Sequence, residues 1–338
     1  MDYTSVSYWL ETSGDDLTPR PPLDGSVDVD VAILGAGYTG LWTAYALLER
    51  DPSLRILVIE REIAGFGASG RNGAWCTSGF GAGPDLLTHH YGRDAARAVH
   101  DAMVATVDEV GRVADVEGID AQFQKDGELS LAIGTHQLPA LDAVQRSYDR
   151  LGVPGFAHRL DRAAAVERLD VAGLVGGIWF PATAAVHPGR LVRGLARAVE
   201  RKGATIVEGT AVTNVRTGAK PALETDRGTV GASVVVLAGE SYLSGLPGYQ
   251  RAVLPIYSLI VLTEPLSESQ LAEIHWTHRA VAHSQALTVD YLSRTQDGRV
   301  LFGGRGAPYH YGSAIRPEFD RHAATHERLR RAIVEWFP

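Results

Sequence analysis

The spacing of apolar side chains along this chain changes period several times, and each change predicts an element. Residues 1–26 are polar and carry Pro19, Pro21 and Pro22, which predicts an extended arm. Residues 27–34 alternate and then close into the run Val31, Ala32, Ile33 and Leu34, as a buried parallel strand does. A glycine-rich turn occupies residues 35–40. Leu41, Ala44, Leu47 and Leu48 then recur at helical spacing until Asp51 and Pro52 end the helix. A second apolar strand over residues 56–59 stops at Glu60, so one βαβ unit is complete between residues 27 and 60.

Glycines crowd residues 65–83, too densely for a regular helix or strand. Residues 93–117 form a long amphipathic helix with Val99, Met103, Val107 and Val110 on one stripe. Lys125, Asp126, Gly127 and Glu128 predict a hairpin turn before the alternating Leu129, Leu131 and Ile133. Helices are predicted over residues 138–151 and 161–169, and His187-Pro188-Gly189 introduces another over 190–202. A strand over 205–208 follows, then strands at 212–215, 223–225 and around Val230, a small meander leading into the apolar strand 233–238. The chain from Arg251 is strand-rich, with a second hairpin turn at Asp297-Gly298. Residues 316–338 read as helical, and Leu329, Ile333 and Trp336 form an apolar face that expects a partner.

Composition narrows the function. A length of 338 residues fits two or three domains, and 45% hydrophobic with 21% charged residues is the balance of a soluble globular protein. The net charge is −8 and no segment is strongly basic, which excludes phosphate-backbone binding to nucleic acid. Cations are nearly all Arg, with Lys only at 125, 202 and 220; together with abundant Ala and Gly this points to a bacterial, GC-rich source. The single cysteine, Cys76, excludes an internal disulfide and suits a reducing compartment. Residues 1–16 lack the basic start of a secretion signal, and the longest apolar run, 253–262, is too short to span a membrane. A cytoplasmic protein with no membrane partner is expected.

Gly35-Ala36-Gly37-Tyr38-Thr39-Gly40 is G-x-G-x-x-G, placed between an apolar strand and an apolar helix. Its glycines allow a tight turn, a close approach to pyrophosphate and close helix–strand packing, and the helix start offers free N–H groups to phosphate. Glu60 lies twenty residues beyond Gly40, where it can accept hydrogen bonds from a ribose and repel the extra phosphate of NADP. The small-residue loop Gly65-Phe66-Gly67-Ala68-Ser69-Gly70-Arg71-Asn72-Gly73 offers amides to a longer dinucleotide, and a simple NAD dehydrogenase does not need it. An NAD-linked dehydrogenase remains the competing reading of the fingerprint.

At these residues the chain resembles the D-amino-acid oxidase superfamily of FAD-dependent oxidoreductases, and within it the γ-glutamylputrescine oxidase-like branch. The resemblance rests on Ser7-Tyr8-Trp9-Leu10-Glu11-Thr12, the fingerprint, the 65–73 loop, His187-Pro188-Gly189-Arg190-Leu191, Leu254-Pro255-Ile256-Tyr257, Thr263-Glu264-Pro265-Leu266 and Leu301-Phe302-Gly303-Gly304-Arg305. It implies an α/β chain with a Rossmann-type FAD-binding domain and an interleaved antiparallel-sheet substrate domain. The expected partition is an arm over 1–26, the FAD domain over 27–88 and 183–250, and the substrate domain over 89–182 and 251–338. Complete members continue further, so the chain is also expected to be a truncated form lacking a C-terminal FAD-domain segment, which leaves open a non-catalytic flavin-binding fragment.

The resemblance further implies that Gly35, Gly37, Gly40 and Glu60, with Tyr38, Thr39 and Arg61 beside them, hold the ADP half of FAD. Ala68, Ser69, Arg71, Asn72 and Gly73 would approach pyrophosphate and flavin, Val212 the adenine side, and Ala238 and Gly239 would close over the cofactor. Members oxidise a C–N bond of a small-molecule amine by hydride transfer to flavin, so the protein needs to position an amine more than to supply a triad. Tyr257 and Tyr291 are the candidates to orient it, and Arg305 could hold an anionic substrate group. Cys76 occupies a position that carries a covalent flavin link in some relatives, although a buried thiol is the plainer reading. His275 with His278, and His89 with His90, lack a third ligand and predict no metal site.

Overall fold

The structure is a computed structural model and describes residues 1–276, 278–305 and 308–338. Its first sheet grows from the strand Val27–Leu34, flanked in parallel by Ile56–Ile59 on one side and Thr229–Leu237 on the other. Thr205–Val207 extends the parallel part beyond Ile56–Ile59, and Ala222–Thr225 and Val212–Arg216 add an antiparallel meander at the opposite edge. The register places Leu34, Ile59, Val207 and Leu237 level with one another. The carboxyl ends of four parallel strands therefore open at one edge, where open α/β sheets bind ligands.

Burial explains why these strands stay together. Val31, Ile33, Ile56 and Val58 pack against Leu41, Ala44 and Leu48 of the helix Tyr38–Arg50 and against Leu195 and Val199 of the helix Pro188–Arg201. His187 caps that second helix, its Nδ1 accepting the Arg190 N–H at 3.2 Å, while its other ring nitrogen lies 3.1 Å from the Thr12 hydroxyl. Burial depresses the His187 imidazole to about 4, so it is neutral at physiological pH.

The second sheet runs in the order Ser258–Leu262, Val300–Arg305, Asp290–Arg294, Val281–Ser284, Glu128–Ile133, Leu174–Phe180 and His158–Leu160. Its pairings are antiparallel except that Val281–Ser284 runs parallel to Glu128–Ile133. A two-stranded ribbon, Trp75–Thr77 with Thr183–Ala185, lies between the two sheets in the chain path. Among the described residues no helix is long and apolar enough to cross a membrane.

Several local expectations change. The arm is not wholly extended: Ser7 caps a short helix, Tyr8–Glu11, whose Trp9 and Leu10 are buried. Trp9 Nε1 donates to Asn72 O at 2.9 Å and the Ser7 hydroxyl to Gly70 O at 2.8 Å, so docking on the glycine loop orders a segment too short to be helical alone. That loop itself contains a 3-10 turn, Ala68–Gly70, and runs into the strand Trp75–Thr77. Lys125 to Glu128 is no hairpin, because Glu128–Ile133 pairs with strands distant in sequence. Asp126 instead accepts the Arg279 N–H at 2.7 Å and the Gln124 amide at 2.6 Å, and this long-range latch replaces a local turn. The meander's last two pieces are one strand, Thr229–Leu237. The final helix, Ala323–Trp336, has its apolar partner: Leu329 is fully buried against the second sheet and Trp336 meets the Phe302 ring edge-on at 5.5 Å.

Candidate nucleotide and substrate site

The fingerprint glycines are required by backbone contacts. Gly35 has φ +102°, and a Cβ there would lie 2.5 Å from Ala238 O. A Cβ on Gly40 would lie 2.0 Å from Gly35 O, so strand and helix could not meet as they do. At Gly37 the neighbour is a side chain, Ser69 Oγ at 2.9 Å, which also accepts the Tyr38 N–H at 2.9 Å. Ser69 thus occupies one donor of the helix start, while the N–H groups of Gly37, Thr39 and Gly40 have no acceptor among the described residues.

Glu60 points into this turn. Its Oε2 accepts the Ala36 N–H and its Oε1 the Glu62 N–H, each at 3.0 Å. Burial pushes its carboxyl above the usual carboxylate range, against the pull of those two amides. Each oxygen keeps a further lone pair for a ligand hydroxyl. The backbone around Glu60 is fixed from both sides, Glu60 N donating to Val207 O and Thr210 N to Glu60 O. Beneath it, fully buried Glu208 accepts the Ala64 N–H at 2.7 Å and the Arg20 guanidinium at 2.8 Å, with Arg193 at 3.5 Å.

A cleft of about 270 Å³ opens at this edge, walled by Gly35, Gly37, Tyr38, Thr39, Glu60, Arg61, Ala68, Ser69, Val212, Ala238 and Gly239. Among the described residues no bulky side chain fills the mouth of the turn; Gly40 lies behind it as the packing glycine. A second cavity of about 500 Å³ is lined by Arg71, Asn72, Gly73, Tyr257, Ser258, Ile260, Tyr291 and Leu301. The two share Ala68, Glu240 and Tyr242, so they lie side by side between the strand ends and the second sheet.

Within the second cavity Tyr291 lies close against backbone that only glycine allows, since a Cβ on Gly73 would sit 2.6 Å, and one on Gly303 2.1 Å, from its ring. Its hydroxyl is 3.0 Å from Ser258 Oγ, and burial raises its phenol above the usual range. The Tyr257 hydroxyl is buried with no hydrogen-bond partner among the described residues. Arg71 donates to Tyr242 Oη and to Asp320, both at 2.8 Å, and Asn72 Oδ1 accepts the Ala74 N–H at 2.9 Å.

Two candidates stand apart. Arg305 ends its strand exposed and lines neither cavity. Cys76 pairs with Ala184, packs against the first core and lines neither cavity, and burial pushes its thiol up to about 11. The histidine pairs also keep to themselves, with His275 Nδ1 at 2.8 Å from Val166 O, and no group of His, Cys, Asp or Glu that could hold a metal occurs among the described residues. Two residues that pattern reading missed, Glu240 and Tyr242, line both cavities. Glu240 has φ +51°, a strained backbone that no residue spacing announces.

Comparison with known proteins agrees with this geometry. The family model described as FAD dependent oxidoreductase matches residues 30–338. The chain is 28% identical over 305 residues to gamma-glutamylputrescine oxidoreductase of Escherichia coli (strain K12), covering 88% of this chain and 70% of that one. It is 31% identical over 333 residues to the probable oxidoreductase OrdL of Rhizobium meliloti (strain 1021), covering 98% and 74%. Among solved structures, glycine oxidase from Geobacillus kaustophilus superposes with a TM-score of 0.69 over 92% of this chain and 78% of that one, at 21% identity. A nucleotide turn closed by Glu60 and a family match over nearly the whole length lead to one conclusion: this chain belongs to the FAD-dependent oxidoreductase family.

Proposed function

We propose that the protein oxidises a C–N bond of a small amine or amino acid, with a γ-glutamylputrescine-type amine as the first candidate. The observation that carries the reading is that a dinucleotide turn and a tyrosine-lined cavity adjoin, with Ala68, Glu240 and Tyr242 walling both. Relatives named for oxidation of gamma-glutamylputrescine and glycine support the substrate class.

The site fits FAD: the free amides at Gly37 and Thr39 suit its diphosphate, and Glu60 suits the adenosine ribose. Arg61, Val212, Ala238 and Gly239 would border the adenosine end, and Ser69, Arg71, Asn72 and Gly73 the stretch toward the second cavity. The bound cofactor would supply the acceptor for a hydride equivalent from the carbon beside the substrate nitrogen. In this division residues 27–88 and 183–250 hold the cofactor, and residues 89–182 and 251–338 build the second sheet, whose segment from 251 on supplies Tyr257, Ser258, Ile260, Tyr291 and Leu301 to the substrate cavity.

The chain's own part is orientation. Tyr291, with its phenol held protonated by burial, keeps an O–H for hydrogen bonding and is no base at neutral pH. The Tyr257 ring, with Ile260 and Leu301, lines the cavity and limits water around the reacting carbon. Substrate therefore enters as the neutral amine after losing its proton to solvent.

Anaerobic mixing of the flavin-loaded protein with γ-glutamylputrescine, other secondary amines and D-amino acids tests the reading by loss of flavin colour. Bleaching by at least one amine is expected, and Tyr291→Phe is expected to lower kcat/KM for it about tenfold, the worth of one oriented hydrogen bond. No bleaching by any member of the panel would sink the proposal.

A further inference from the structure

Glu128 and His283 form a partly buried ion pair on the second sheet. Val281 stands opposite Glu128 and His283 opposite Ser130 in parallel strands, so both side chains leave one face of the second sheet. Ala282 opposite Leu292 puts Tyr291 on that same face. Glu128 Oε2 accepts hydroxyls from Thr77 at 2.8 Å and Thr183 at 3.1 Å, the facing residues of the two-stranded ribbon. His283 Nε2 is 3.4 Å from Glu128 Oε1, and its Nδ1 is 2.9 Å from Ser284 O. Both ring nitrogens face oxygens of a carboxylate or a carbonyl, which favours the imidazolium. Its ring centroid is 6.2 Å from that of Trp75, which is 6.4 Å from Tyr291 and donates its indole N–H to Leu292 O at 3.1 Å.

We propose that Glu128 and His283 are positioning residues for the cofactor site. Glu128 ties the ribbon to the second sheet through Thr77 and Thr183, His283 holds the Glu128 carboxylate in place for that tie, and Gly73 and Trp75 are thereby kept against Tyr291. The ribbon strand Trp75–Thr77 continues directly from the 65–73 loop, and a loosened ribbon loosens that loop. This deepens the proposed function and rests on FAD lying along that loop.

The pair carries a pH dependence whose sign follows from its surroundings. Burial opposes the His283 charge, but Glu128 outweighs it and holds the ring above its ordinary value. Burial likewise pushes the Glu128 carboxyl up, and His283 with the two threonine hydroxyls brings it below the usual range. Of the other elements around the ring, Asp290–Arg294 brings Asp290, which accepts from Ser284 N at 2.7 Å and Ser284 Oγ at 2.6 Å. The ribbon brings only neutral Cys76, and Leu138–Leu151 the neutral Tyr148 phenol. The hold of His283 on the Glu128 carboxylate is therefore complete below the ordinary histidine value of about 6.5 and is lost as pH rises through the raised one, which leaves the ribbon tied by the threonine bonds alone.

The test is the dissociation constant of FAD from the 338-residue chain between about pH 5.5 and 9.5, for the native protein, His283→Gln and Glu128→Asp. The native chain is expected to bind FAD about fivefold to tenfold more weakly across a single-proton transition above neutrality. His283→Gln is expected to be weak and flat over that range, and Glu128→Asp to move the transition to lower pH. A purely structural role would lower the melting point without moving the profile. A flat native profile, or the same transition in His283→Gln, overturns the inference; if His283→Gln does not fold, an unmoved transition in Glu128→Asp does so. A native chain that binds no FAD at any pH overturns the proposed site as well, which separates the two failures.

Discussion

Gly40→Ala is expected to weaken FAD binding at least a hundredfold, although it adds one methyl group. That methyl would stand 2.0 Å from Gly35 O and 3.2 Å from the Ile33 side chain. Neither can yield cheaply, because Gly35 lies in a turn at φ +102° and Ile33 is fully buried. The helix must draw back from the strand, carrying the free amide of Thr39 away from Glu60. Overpacking of this kind costs about 1–3 kcal/mol of stability, and the larger loss falls on the ligand that needs the closed turn. Gly37→Ala is the informative contrast. Its methyl would meet only the Ser69 side chain at 2.9 Å, which can rotate away. It is expected to melt like the native chain and to bind FAD with an intermediate loss. Titration of flavin fluorescence alongside thermal melting checks both; near-native FAD affinity in Gly40→Ala would contradict the reading of the turn.

The second large effect concerns stability. Glu208→Ala is expected to cost about 3–5 kcal/mol, the usual consequence of removing one partner from a buried ion pair. Arg20 and Arg193, whose side chains are 14% and 4% exposed, would lose the carboxylate they enclose. The Ala64 N–H would be orphaned as well. Because Arg20 sits in the arm and Ala64 follows Glu60 and Glu62, the same change frees the arm and the floor of the nucleotide cleft together. Urea denaturation measures the loss. Glu109→Ala is the control: its pair with Arg112 is about half exposed on each side, and the denaturation midpoint is expected to stay put.

The parts legible in the sequence are those whose causes are local. The Gly35–Gly40 turn, the strand before it and the acid after the next strand are written as consecutive residues, because the contacts that demand them span few positions. The helix Leu138–Leu151 falls on its expected bounds, since its apolar stripe and its closing Gly152 are both local signals. What escaped depends on pairing across the fold. Lys125 to Glu128 has turn composition, yet Asp126 serves Arg279 of a distant segment. Arg305 stands opposite cavity-lining Ser258 in the sheet register, yet its position at the strand end leaves it exposed and outside the cavity lining. Tyr242 acquires its place only when Arg71, far away in sequence, donates to its hydroxyl. The apolar face of the last helix was visible, but its partner, Phe302 and its neighbours, could be found only once the second sheet was assembled.

Amide hydrogen exchange of the protein with and without FAD tests the nucleotide site most directly. Slowed exchange is expected at the Gly37 and Thr39 amides and through the 65–73 loop, with the distant edge strand His158–Leu160 unchanged. Unaltered exchange over residues 35–40 at saturating FAD would contradict a cofactor held by that turn and Glu60.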